Sequence, residues 1–241
     1  MFPMLLFEKM PVFVAGSLLC GTGCGIMYAI SKVVMLKGYE KTSVAFMTLC
    51  HSSGMILPCI IGHFFWSEKL STISVFGMIL AILSIVLLKG GNAEDKKFSF
   101  NGAILGIIIF LTSAGVMIAQ KLMGIYFAEQ SISAYNFYSF VVPFLIISCF
   151  LRHKKLACEE KKNKLLVCVC ALGSALSLCI ISFVMTSLSG RVPSVLLFPL
   201  FNGLGIIFVC IGSVFAFKEK LTVKKIIGLT IGIIGLYLVN L

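Results

Sequence analysis

A passage that occurs twice, 151 residues apart, constrains this chain more than any other feature. His63-Phe64-Phe65-Trp66-Ser67-Glu68-Lys69-Leu70-Ser71 returns as Val214-Phe215-Ala216-Phe217-Lys218-Glu219-Lys220-Leu221-Thr222. The match runs without a gap from Ser43–Lys89 onto Ser194–Asn240, with 14 identities in 47 positions, among them Gly54/Gly205, Cys59/Cys210 and Gly77/Gly228. Shared apolar composition inflates such an alignment, but it does not set Glu-Lys-Leu at the same offset. Each copy reads as a long apolar helix, a short Glu-Lys-Leu hinge and a second apolar helix.

The stretches around the hinge are too apolar for a domain in water. The chain is 59% hydrophobic and 12% charged, and its mean hydropathy is +1.09, a balance outside that of soluble domains. Eight uncharged stretches lie at 10–31, 42–67, 70–88, 98–120, 130–151, 165–190, 192–217 and 226–241. A helix needs about 20 apolar residues to cross a bilayer. The composition therefore predicts an all-α membrane protein of eight transmembrane helices, embedded in the lipid bilayer, with no length left for a water-exposed domain.

The formal charge of +11 sits in short loops, as topogenic signals do, so nucleic acid is not an expected partner. Lys9, Lys69, Lys121 and Arg191 lie on one side of the predicted helices, and the other sixteen Lys and Arg lie on the opposite side. The positive-inside rule makes the sixteen cytoplasmic and turns both termini outward. Met1–Met10 has no basic residue ahead of its apolar ones, so the first helix is expected to act as its own insertion signal. Nine of the ten cysteines fall in apolar stretches, Cys158 being the exception, and Cys168-Val-Cys170 lacks the spacer of a zinc or redox pair. No metal or cofactor is expected.

The second copy, 102–240, is expected to hold helices at 102–128, 132–151, 165–189, 192–217 and 223–240. The first, 11–89, holds three, at 11–36, 43–66 and 72–88. The offset carries Met1 onto Arg152, so the first copy is expected to lack its opening two-helix hairpin, roughly 50 residues. Five helices per unit is an odd number, which inserts the two copies in opposite orientations. Inverted repeats are a transporter architecture with the substrate site near the midplane. The alternatives are a non-transporting scaffold or partner subunit, or an inactive truncated carrier. Completion of the first repeat by a second copy would make the protein a homo-oligomer.

The order helix, Phe-x-Phe/Trp-x-Glu-Lys-Leu-Ser/Thr hinge, Gly-containing closing helix, present in both halves, resembles the drug/metabolite transporter superfamily. Within it the chain is most similar to EamA-like permeases, over essentially all of 11–240. The resemblance implies ten helices in a five-plus-five inverted repeat. It also implies carriage of a small molecule such as an amino acid, metabolite or drug, often outward across the cytoplasmic membrane. It would set both termini in the cytoplasm, opposite to the charge count.

Among single residues His51 is the most suggestive, about 5 Å from the middle of the second predicted helix at about 1.5 Å per residue. Its repeat partner is Asn202. Thr48, His51, Met55 and Pro58 share a helical face by spacing, as do Pro199, Asn202, Ile206 and Val209. Polar groups at that depth face the bundle interior or a wet cavity. His51 and Asn202 are therefore candidates to line a substrate path, or else to hold helices together. Gln120, Tyr28, and Ser31 with its partner Ser182 are further candidates.

Lys121 is expected to snorkel to the interface; facing inward, it would attract an anionic group. Tyr135, Asn136 and Tyr138 open the helix over 132–151, and the two tyrosines read as interfacial anchors. Glu68 and Lys69, with Glu219 and Lys220, form the hinge motif, where each carboxylate either latches the hinge or caps the helix that follows. Gly21-xxx-Gly25, Gly102-xxx-Gly106 and Gly228-xxx-Gly232 allow close helix packing.

All nine acidic residues lie in loops or at helix ends, so a mid-membrane carboxylate for proton coupling is not expected. No catalytic triad, metal motif or phosphate loop appears, so an enzyme is not expected. The charge count predicts an active alkaline phosphatase and a dark fluorescent protein when each is fused after Leu241. The reverse pattern would support the orientation that the resemblance implies.

Overall fold

In hydrocarbon a backbone with no water to bond must satisfy itself, and an apolar run of this length does so as a helix. The computed structural model describes residues 15–42, 44–69, 71–89, 100–127, 131–153, 164–204, 227–228, 230–232, 234–235 and 238. They form α1 (Ala15–Lys41), α2 (Val44–Ser53), α3 (Ile56–Phe65), α4 (Thr72–Lys89), α5 (Phe100–Tyr126), α6 (Ile132–His153) and α7 (Lys164–Ser189). A further helix, α8, runs over Ser194–Leu204. No strand occurs among the described residues.

Four spans, Ala15–Lys41, Phe100–Tyr126, Ile132–Cys149 and Ala171–Ser189, are each long and apolar enough to cross a bilayer. The chain is an all-α membrane protein. Residues 205–226 lie outside the described residues, so the last two of the eight predicted helices are described only in part. α1 runs five residues beyond the expected end at 36, to Lys41, where Thr42 closes it. The Thr42 N–H and hydroxyl both donate to the Gly38 carbonyl, at 2.8 and 3.0 Å.

The chain forms two compact units, Met1–Ile30 with Ile118–Arg191, and Ser31–Met117 with Val192–Leu241. Each takes residues from both sequence repeats. In the first unit α6 packs on α7, and the opening half of α1 lies close against α6. A Cβ at Gly21 would stand 2.7 Å from the Tyr135 carbonyl oxygen, and one at Gly25 would stand 2.8 Å from Val142 Cβ. Only hydrogen fits at these two positions, which is how the Gly21-xxx-Gly25 spacing is used. In the second unit α2 packs on α4. There Ser84 Oγ donates to the Gly228 carbonyl at 2.6 Å, beside Gly232.

The helix predicted over 43–66 is broken. α2 ends at Ser53, a turn occupies Gly54-Met55, and α3 starts at Ile56. Pro58 explains the position: it has no N–H for the carbonyl four residues back, that of Gly54, and its ring crowds that carbonyl. Gly54 N–H then turns to His51 O at 3.3 Å, and Met55 N–H to Ser52 O at 3.4 Å. Ser113 of α5 donates its hydroxyl to the same His51 carbonyl at 2.8 Å.

Such repair by a neighbouring hydroxyl is what lets a helix break persist in a membrane. Gly54 is required here because a Cβ would run into Ser113 Oγ and stand 3.0 Å from the Ala114 nitrogen. Gly54→Val is expected to lower stability by about 1–3 kcal/mol, read as an earlier thermal unfolding transition of the detergent-purified protein. A substitution at Gly23, which has open space around it, is expected to leave that transition in place.

Candidate functional site

Within the first unit, neutral polar groups are buried between helices. Ser182 Oγ of α7 donates to Asn136 Oδ1 of α6 at 2.6 Å, and Asn136 Nδ2 donates to the Ile132 carbonyl at 3.0 Å. Asn136 has no exposed surface. One turn along α6, Ser139 Oγ donates to the Tyr135 carbonyl at 2.9 Å. The Tyr135 hydroxyl is fully buried beside the Cys24 thiol and the Ser139 hydroxyl, yet it meets hydrogen-bond geometry with neither. Tyr28 stacks on Phe140 with ring centres 6.2 Å apart. Farther along α7, Thr186 donates to the Ser182 carbonyl at 2.8 Å, and Ser189 donates to the Gln120 carbonyl at 2.7 Å. This cluster is uncharged, and its serine, threonine and asparagine side chains are bonded to one another or to helix carbonyls.

In the second unit the hinge after α3 is tied to the start of α8. Ser67 turns the chain with φ 52°, in the left-handed region, at a cost of about 1–2 kcal/mol for a residue with a Cβ. That turn brings the Glu68 N–H to the Gly62 carbonyl at 3.1 Å, and His63 Nδ1 lies 2.9 Å from the Glu68 carbonyl. The Glu68 side chain then reaches Ser194: Oε2 accepts the Ser194 N–H at 2.7 Å, and Oε1 accepts its hydroxyl at 3.4 Å. The Cys59 thiol donates to the Ser194 carbonyl at 3.4 Å. Below this, Cys59, Met78 and Val195 form a buried apolar cluster with Val75 and Leu196 packed on it.

The model of the EamA-like transporter family matches residues 1–89 and 100–241. The chain belongs to the EamA-like transporter family. Its members are transporters by description, and the chain is an integral membrane protein. It is similar to "Uncharacterized transporter YxxF" of Bacillus subtilis (strain 168), 30% identical over 101 residues, 42% of this chain and 32% of that relative. The matched stretch thus spans about a third of the relative's length. A solved crystal structure shares the fold with a TM-score of 0.79 at 14% identity, over 98% of this chain and 80% of that one.

Set in this EamA-like chain, the residues singled out from sequence are distributed between the units. Tyr28 and Gln120 are in the first, and Gln120 is buried. Ser31, Thr48, His51 and Asn202 are in the second. His51 is half-buried at the end of α2, with its carbonyl held by Ser113. Asn202 donates Nδ2 to the Phe198 carbonyl of its own helix at 2.9 Å. Ser31 Oγ is buried without a hydrogen-bond partner among the described residues, whereas its repeat equivalent Ser182 holds Asn136. The Thr48 side chain and the hinge residues Glu219 and Lys220 lie outside the described residues, while Lys69 is exposed.

Three readings change. Tyr135 is not an interfacial anchor: it has no exposed surface, because Gly21 admits α6 so close to α1. Lys121 is 3% exposed, so it is enclosed by protein and does not snorkel. Glu68 caps α8, while at the start of α4 the Ser71 hydroxyl accepts the Ile73 N–H at 3.3 Å.

Sequence reasoning put Ser113 on one face with Met117 and Gln120, but missed Tyr135 and Asn136 as interior groups. A legible signal was the stripe Ser182, Thr186, Ser189 on α7, spaced four and three residues apart, which places polar side chains on one helix face. A double-mutant cycle on Asn136→Ala and Ser182→Ala, read by thermal unfolding, is expected to give a coupling of about 0.6 kcal/mol and at most ~1.7. Zero coupling would mean the bond adds no stability.

Proposed function

We propose that the chain carries a small organic solute, such as an amino acid, metabolite or drug, across the cytoplasmic membrane by alternating access, in the outward direction. The observation that carries the reading is the break in α2–α3. Carriers with inverted repeats build their sites from discontinuous transmembrane helices, whose irregular backbone is tolerated where it lines a cavity. Here a proline-driven break sits three residues after His51, and the His51 carbonyl beside it is held by a neighbouring serine. His51 is then the path residue at the broken end, and Asn202, its repeat partner, is the counterpart from the other half.

The family membership and the twice-occurring hinge motif support transport, with the two repeats, 11–89 and 102–240, exchanging conformations to open the path on either side in turn. No ATP-binding motif is present in the sequence, so the driving force is a gradient of solute or ion. No chemical step is involved.

The test uses the purified chain in liposomes offered a defined mixture of amino acids, nucleosides and small aromatic drugs, with uptake read by mass spectrometry. At least one compound is expected to accumulate above protein-free liposomes. His51→Leu is expected to abolish that uptake with unchanged incorporation of the protein. Unchanged uptake in the variant would remove His51 from the path, and no uptake of any compound would count against the carrier reading for these solutes.

A further inference from the structure

The Glu68–Ser194 contact joins two parts of the chain 126 residues apart, yet it is built from local rules. A helix leaves its first N–H groups without partners, and a carboxylate is the strongest side chain to accept them, by hydrogen bond and by the helix dipole together. Ser194 opens α8 directly after Pro193, so its N–H is such an orphan. The carboxylate that takes it comes from the hinge of the other repeat. It is held in place by the left-handed Ser67, by the Glu68 N–H on Gly62, and by the absence of a side chain at Gly62. A Cβ at Gly62 would run into the Glu68 carboxylate and stand 3.2 Å from Ser194 Oγ.

We propose that Glu68 is a positioning residue for transport: acting through Ser194, it fixes the start of α8 and so the setting of Asn202 two turns along that helix. This rests on the carrier reading above, and it adds what holds the second repeat's path helix in place. A cap confined to one helix would only lengthen that helix. A cap crossing from the hinge of one repeat to the first residue of the corresponding helix in the other couples the two. Any exchange of conformation between repeats has to keep this bond or break it.

The three side chains at the contact are also ones that the repeat retains by identity. Ser194, Cys59 and Glu68 correspond to Ser43, Cys210 and Glu219. Those equivalents lie outside the described residues, and the correspondence is one of sequence. Three of the 14 identities in the 47-residue match are thus the parts of this one contact.

The experiment measures how fast Cys at position 202 reacts with a membrane-impermeant maleimide. It uses the full chain in liposomes, carrying Asn202→Cys, Cys59→Ser and the other native cysteines replaced by alanine. Glu68→Ala is expected to change that rate about fivefold or more, the scale of one lost charge-assisted cap. Glu68→Gln, whose amide oxygen can still accept the Ser194 N–H, is expected to restore it to within about twofold. Tyr126→Cys, exposed at the very end of α5 and in the other unit, is expected to react at the same rate in all three. An unchanged rate at 202 in Glu68→Ala overturns the proposal. So does a rate that shifts equally at 126, which marks general loosening. No solute is needed, so failure of the uptake assay and failure of this one are told apart.

Discussion

A backbone group left unbonded inside a bilayer has no water to turn to, and the break between α2 and α3 rests on how the His51 carbonyl is met there. Pro58 makes a continuous helix over 43–66 unfavourable, so the chain must turn near Gly54 or leave backbone groups unbonded. The turn is stable because two donors converge on one oxygen, the Gly54 N–H from within and the Ser113 hydroxyl from α5. Close approach of α5 in turn depends on the missing side chain at Gly54. Proline, glycine and serine act there as one device, and it leaves a histidine at the end of a half-helix.

Neutral polar contacts recur in both units in the same economical form. Serine and threonine hydroxyls donate back to carbonyls three or four residues earlier at many positions, which keeps them satisfied without a partner helix. A few also reach across: Ser17 to the Ser131 carbonyl, Ser182 to Asn136 and Ser189 to the Gln120 carbonyl in the first unit, and Ser84 to Gly228 in the second. Each such bond contributes little, about 0.6 kcal/mol on average in a membrane. Their value is in direction: a hydroxyl reaching a particular carbonyl fixes the rotation of one helix against another where apolar packing alone would permit several.

Helix spans and the hinge were readable because hydropathy and an exact offset are properties of short stretches. α5, α6 and α7 begin and end within two residues of the predicted bounds. The break in the second predicted helix was half readable: Pro58 gives its position, but the donor that stabilises it is 62 residues away. Tyr135 was misplaced for a different reason. Position near a helix start suggests an interface, and only the pairing of α6 with Gly21 and Gly25 reveals that this end is enclosed. Glu68 announced itself as a cap by residue type, while its partner is fixed by tertiary structure.

The distance along the chain between Glu68 and Ser194 also has a meaning in time. During synthesis Glu68 emerges 126 residues before the helix it caps. At about 5–20 residues per second the carboxylate waits on the order of 6–25 s for its partner. Through that interval the hinge must sit in the water-facing margin of the bilayer with its charge hydrated. The first repeat therefore inserts with an open end, and it is the arrival of α8 that closes it.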